Sequence, residues 1–284
     1  MAHSTLVSTE NLEKNLSSWR LFDCRHDLAR PELGEEQYRS AHIPGALFAH
    51  LDRDLSAPRD GRSGRHPLPY PGAFIAWLGQ QGLRPGDQVV CYDAGNGTVA
   101  ARLWWMLRWV GHDAVAVLDG GLAKWLAEGR PVSAEIPRFP HALYPVRMRP
   151  GMAVGIGAVE RRRSNMLLLD ARAPKRYRGE EEPIDRVAGH IPGAQNRYCA
   201  DNIGAEGTFK GPEALKKEFL EVLGDRPASE VVSYCGSGVT ACHNLLAMEV
   251  AGLKGAKLYA GSWSDWISDP QRPIARDAAR DGAR

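Results

Sequence analysis

The pentapeptide HIPGA occurs twice in this chain of 284 residues, at 42–46 and again at 190–194. The likeness spreads outward from both copies. Asp23-x-Arg25 is matched by Asp170-x-Arg172, and "VVCYD" at 89–93 by "VVSYC" at 231–235. Gly120 with Trp125 is matched by Gly261 with Trp266, and "RPV" at 130–132 by "RPI" at 272–274. The landmarks keep their order and nearly their spacing, as a copied unit with small loop changes would. Such a chain is constrained to fold as two similar domains, and its length is enough for two cores. The reading places an N-terminal domain at 4–135, a proline-rich linker at 136–151 and a C-terminal domain at 152–278. Pro131, Pro137, Pro140, Pro145 and Pro150 give the region around the linker an extended character. The closing "RDAARDGAR" has no apolar pattern and reads as a frayed tail.

Within each copy the pattern alternates. "SWRLFDCR", "DQVVCYD" and "AVAVLDGG" are short apolar runs with polar ends, as are "MLLLDAR", "SEVVSYC" and "GAKLYAGS". These read as buried strands. "GAFIAWLGQQGL", "AARLWWMLRWVG", "GPEALKKEFLEVLG" and "ACHNLLAMEVAG" carry apolar residues at helical spacing and stop at glycine. Strands alternating with helices predict an α/β fold: in each domain a mainly parallel central sheet flanked by helices. Ligands of such sheets bind at the carboxyl ends of strands.

Composition excludes several classes. A net charge of +2 and no basic stripe give no reason to expect nucleic acid, and "ERRRSN" at 160–165 is short enough to be a solvated helix end. "LWWMLRWVG" contains Arg108 and is far too short to cross a bilayer. Five scattered cysteines argue against a disulfide framework and for a reducing compartment. The first residues lack the apolar core of a signal peptide, so the expected location is cytoplasmic.

One cysteine stands apart. Cys235 ends a strand and is followed by Gly236, Ser237, Gly238, Val239, Thr240 and Ala241 before a helix resumes. A tight loop of this kind turns backbone N–H groups inward, and the helix start adds unpaired donors and a positive dipole end. A thiol there is a candidate nucleophile. A phosphatase loop would need an arginine where Ala241 stands. Cys235, Cys242 and His243 match no common zinc spacing, and Cys235 and Cys242 are too far apart for a Cys-x-x-Cys redox pair. Cys91 and Cys199 read as inert buried thiols. The first copy has Asp93 in place of Cys235, so one nucleophile per chain is expected.

With these residues in view, the chain resembles the tandem-domain rhodanese family of sulfurtransferases over nearly its whole length. Both HIPGA segments, "YDAGNGTVAARLWW", "LDGGLAKW" and "YCGSGVTACHNLLAMEVAGL" carry the resemblance. It implies two rhodanese-like domains, of which only the second is catalytic, and a cysteine that accepts a sulfane sulfur as a persulfide. The neutral loop "CGSGVTA" resembles that of the 3-mercaptopyruvate sulfurtransferases, which implies that sulfur passes from 3-mercaptopyruvate to a thiol or cyanide, with release of pyruvate. Thiosulfate as donor is the alternative, and a sulfur carrier or partner-binding module without turnover is the second.

Residue by residue, the resemblance assigns Ser237, Asp52 and His66 to thiolate and proton handling, with Asp52 and His66 contributed from the first domain into an interdomain cleft. It assigns Arg176 to the substrate carboxylate and the N–H groups of residues 236–241 to the sulfur. The second arginine that the mercaptopyruvate enzymes carry before "GHIPG" is missing from the acidic "GEEEPIDRVAGHIPG", where Arg186 is the nearest substitute. No metal and no organic cofactor is implied. Thioredoxin stands among the candidate acceptors, and a monomer is expected. Asp23, Arg25, His42 and their counterparts Asp170, Arg172 and His190 occur in the copy without a nucleophile too, which favours a structural role.

Overall fold

The computed structural model describes residues 2–60, 63–145, 147–162 and 165–277. They form two compact units. The first comprises 1–58, 68–150 and 203–211; the second comprises 59–67, 151–202 and 212–284. The units are therefore not contiguous in sequence. Residues 59–67 lie within the N-terminal copy of the sequence but belong to the second unit, while 203–211 belong to the first.

The first unit contains β1 (Leu6–Val7), α1 (Thr9–Glu13), β2 (Arg20–Asp23), α2 (Leu33–Ser40), β3 (Ala46–Phe48), α3 (Pro71–Gln80), β4 (Val89–Tyr92), α4 (Ala100–Trp109), β5 (Val115–Leu118) and α5 (Gly121–Ala127). Its sheet has the order β1-β5-β4-β2-β3, with every pairing parallel. The second unit contains α6 (Ile156–Arg162), β6 (Leu167–Asp170), α7 (Pro174–Arg178), β7 (Gln195–Asn196), α8 (Pro212–Leu223), β8 (Val231–Tyr234), α9 (Ala241–Val250), β9 (Lys257–Leu258) and α10 (Ser262–Trp266). Its sheet runs β7-β6-β8-β9, again all parallel. In place of β1 it has a single parallel bridge between Ala153 and Leu258. The two predicted α/β domains with parallel sheets are thus present.

The central strands explain themselves. Every residue of β4, β6 and β8 is buried, as a strand covered on both faces requires. Leu21, Val90 and Ala116 meet Trp125 in one core; Leu168, Val232 and Tyr259 meet Trp263 and Trp266 in the other. Described residues of the stretch expected as a proline-rich linker at 136–151 pack on the first unit. Ala142 N donates to Gly79 O, the Arg20 guanidinium lies 3.4 Å from the Phe139 ring, and Arg149 N donates to Trp109 O.

The repeated motif residues brace each unit in the same way. Arg25 grips Asp23 and donates to Ala41 O at 2.7 Å; Arg172 grips Asp170 and donates to Gly189 O at 2.7 Å. The His42 ring stacks on Tyr38 and contacts its carbonyl, and His190 does the same with Tyr177. The Tyr92 hydroxyl accepts from Ile43 N, and that of Tyr234 from Ile191 N. Asp, Arg, His and Tyr thus tie the strand ends to the turn bearing HIPGA. These contacts occur in both units, with and without the cysteine, so they build the scaffold.

Candidate active site

Register fixes the equivalence of Asp93 and Cys235. Tyr92 pairs with Asp23 in the first sheet, and Tyr234 with Asp170 in the second. The next residue is Asp93 in one unit and Cys235 in the other. The loop from Asp93 to the helix start at Ala100 is one residue longer than that from Cys235 to Ala241, and Gly97 and Gly238 hold the corresponding left-handed bend with φ 79° and 78°. A side chain at Gly238 would also lie 2.3 Å from Ala260 O, so only glycine lets this turn pack.

The first unit displays what such a loop binds. Asp93 Oδ1 accepts from Gly95 N at 3.1 Å and Gly97 N at 2.9 Å, while Oδ2 accepts from Val99 N at 2.9 Å and Ala100 N at 3.2 Å. Four backbone donors close on one built-in anion. In the second unit Gly238 N donates to Cys235 Sγ at 3.1 Å, and Thr240 and Ala241 stand at the N-terminus of α9. The loop brings the Gly238 N–H to sulfur where its counterpart brings four N–H groups to a carboxylate.

Behind the loop, Cys235 N donates to Ser262 Oγ at 3.0 Å, and Trp263 N and Ser264 N donate to Cys235 O and Gly236 O. Ser262 has φ 58°, a left-handed conformation held in the first unit by Gly121 at φ 56°. A serine there bears strain that a glycine would not, and its hydroxyl accepts from the backbone N–H of Cys235. Nothing in the letters "YAGSW" marked this residue.

Cys235 is 2% exposed and Ser237 7%. Ser237 Oγ lies 2.7 Å from His66 Nδ1, and His66 is itself 2% exposed. The expectation that His66 arrives from the first domain is corrected by its membership of the second unit: residues 59–67 are built into it, with Arg65 N donating to Ser264 Oγ at 3.0 Å. Asp52 belongs to the first unit, in the turns after β3, where its N–H donates to His50 Nδ1 at 3.1 Å.

Arg176 sits on α7, with Nη2 2.7 Å from Glu182 Oε1 and 3.1 Å from Asp185 Oδ2. Arg65 Nη1 pairs with the other oxygen of Asp185. Burial pushes the Asp185 carboxyl above the usual range against the pull of Arg65 and Arg176. Burial also pulls Glu182 upward, but hydrogen bonds from Arg176, Asp185 N and Ile184 N win and hold it below the usual range. The acidic segment that replaced the expected arginine therefore wraps Arg176. Arg186 lines a groove with Ser63, Arg65, Asp185 and Ser264, but its guanidinium donates to the carbonyls of Ile267 and Ser268 at the end of α10. Arg65, beside His66 in "GRHPLP", was not among the residues expected from sequence, and the fold brings it to Asp185 and Gly236.

The remaining thiols do other work. All five cysteines are free. Burial, and next the charge of Cys235, push the Cys199 thiol up to about 12, and burial raises Cys91 well above the thiol range. Cys242 donates to Gly238 O, and His243 is buried with Nδ1 3.1 Å from the Asn202 amide. No helix is long and apolar enough to cross a membrane among the described residues.

The chain is similar to known proteins over nearly its whole length. The chain is 47% identical over 281 residues to a probable 3-mercaptopyruvate sulfurtransferase of Pseudomonas aeruginosa, covering 97% of this chain and 99% of that one. It is 38% identical to a putative thiosulfate sulfurtransferase of Mycobacterium tuberculosis, covering 91% of each. Among solved structures, a 3-mercaptopyruvate sulfurtransferase from Leishmania major superposes with a TM-score of 0.86 at 29% identity, covering 95% of this chain and 75% of that one. The rhodanese-like domain matches at residues 8–128 and again at 158–269, so the chain belongs to the rhodanese-like family and carries two copies of its domain.

Proposed function

We propose that this chain is a 3-mercaptopyruvate sulfurtransferase whose single nucleophile is Cys235. The observation that carries the reading is the equivalence of Asp93, an anion closed in by four N–H groups, and Cys235 at the end of the matching strand. A cradle of that kind suits the negative charge of a persulfide after transfer. The Cys235 thiolate attacks the sulfur of 3-mercaptopyruvate. The carbon–sulfur bond breaks, its electron pair leaves as the pyruvate enolate, and Cys235 retains the extra sulfur. In this proposal Ser237, which is hydrogen-bonded to His66, passes the proton to the enolate, and Asp52 is assigned to the same proton relay. A thiolate or cyanide then attacks the outer sulfur and returns Cys235 to its thiolate.

A thioredoxin-type dithiol as acceptor, a monomeric chain and a cytoplasmic location complete the proposal. Five free thiols and the absence of disulfides among them support a reducing compartment. Thiosulfate is the second reading, favoured by the 38% identity to a putative thiosulfate sulfurtransferase. Steady-state kinetics with both donors and the same acceptors decides. A kcat/KM at least tenfold higher for 3-mercaptopyruvate, about 1.4 kcal/mol at the transition state, supports the first reading; the reverse preference supports the second.

A further inference from the structure

The residues after Cys235 carry no positive charge, yet the folded second unit brings one to them. Arg65 is anchored through its own N–H to Ser264 Oγ at 3.0 Å, on the helix that also holds Cys235 from behind. A Cβ built on Gly236 would lie 2.7 Å from Arg65 Nη2, 3.6 Å from Arg176 Nη2 and 3.7 Å from Asp185 Oδ2. Two guanidinium tips and one carboxylate thus converge beside the residue that follows the nucleophile. Asp185 spans the pair, with one oxygen on Arg65 and the other 3.1 Å from Arg176. An internal carboxylate is therefore held by these two arginines much as a ligand carboxylate would be. Arg65 has donors beyond those facing Asp185, and its Nε is buried without a hydrogen-bond partner. Arg186, the substitute expected from sequence, spends its guanidinium on backbone carbonyls instead.

We propose that Arg65, together with Arg176, forms the carboxylate clamp of the donor site, and that Asp185 is the residue that positions both guanidinium groups. The proposal deepens the sulfurtransferase reading and rests on Cys235 as its nucleophile. Arg65 fills the place that a side chain at 236 would otherwise take, so glycine at 236 and arginine at 65 are a matched pair. A 2-oxo acid offers one carboxylate to this clamp. Because Asp185 and Glu182 stay beside it, a dianion meets repulsion that a monoanion largely escapes.

The test compares two reagents of the same shape. Iodoacetate carries a carboxylate and iodoacetamide does not, and alkylation of each is followed at Cys235 by peptide mass spectrometry, with a free thiol as reference. Arg65→Met should slow iodoacetate by roughly tenfold to a hundredfold and leave iodoacetamide within about twofold. Arg65→Lys should recover part of the difference, and Arg186→Met should leave the ratio as in the parent. Equal slowing of both reagents by Arg65→Met would make Arg65 a structural support and overturn the proposal, as would an unchanged ratio. The readout needs no turnover. A collapse of the ratio in a protein that does not use 3-mercaptopyruvate would sustain the clamp while rejecting that donor.

Discussion

Asp93 and Cys235 occupy the same position in two copies of one fold, each directly after the tyrosine that pairs with the aspartate of the neighbouring strand. The Asp93 carboxylate gathers four N–H groups of its own loop, and Cys235 Sγ receives that of Gly238. On the proposed reading, that exchange separates the unit that carries the reaction from the unit that does not.

Replacing the nucleophile separates chemistry from folding. Cys235→Ser should lower sulfur transfer by ~10³-fold or more, because an alcohol at this place is neither ionised nor able to form a persulfide. Thermal unfolding should shift little, since the side chains are nearly isosteric. Mass spectrometry after donor treatment should find the added sulfur in the parent protein and none in the variant. Appreciable turnover by Cys235→Ser would reject the mechanism.

The Ser237–His66 pair acts as one device if it moves a proton. Ser237→Ala and His66→Gln should each reduce kcat by about 10²-fold, and the double variant should be scarcely worse than either single one. Independent, multiplying effects would argue that the 2.7 Å contact only packs the loop.

Ser262 trades strain for position. Ser262→Gly relieves the left-handed backbone but deprives Cys235 N–H of its acceptor. The expected result is stability within about 1 kcal/mol of the parent with a several-fold lower kcat. An unchanged kcat would show that the hydroxyl is dispensable.

In the first unit, Asp93→Ala leaves four loop N–H groups without their anion. A loss of about 2–4 kcal/mol is expected in urea denaturation. Persulfide formation in the second unit should persist under native conditions. A fully stable variant would mean that the loop closes without Asp93.

Glu128 provides a pH signature. Hydrogen bonds from Lys124, Thr9 and Arg130 hold its carboxyl down, at about 2 rather than 4.5. The ionised form is favoured on folding, so its contribution is complete above the ordinary value and disappears as pH falls through about 2. The residue is exposed, and the effect at neutral pH should stay below about 1 kcal/mol. Glu128→Gln should lower Tm slightly at pH 7, less at pH 3, and not at all once the parent carboxylate is protonated. A Tm difference independent of pH would point to packing alone.

The duplication, the alternation of strands and helices, and the placing of Cys235 and Asp93 at matching strand ends were legible in the letters. They are local or repetitive features: a buried strand needs a run of apolar residues, a helix needs its period, and a copied unit exposes its own landmarks. The scaffold role of Asp23, Arg25 and His42 was legible for the same reason, since the inactive copy retains them. What only the tertiary structure decided depends on contacts between distant segments. Residues 59–67 became part of the second unit, which set His66 against Ser237 and Arg65 against Gly236. The acidic run after Arg176 read as the loss of an arginine; folded, Glu182 and Asp185 turn back to hold Arg176 in place. Ser262 received its role from a backbone angle that no composition predicts. Sequence names the residue types available, but a charge acts through distance and desolvation, and those are properties of the folded chain alone.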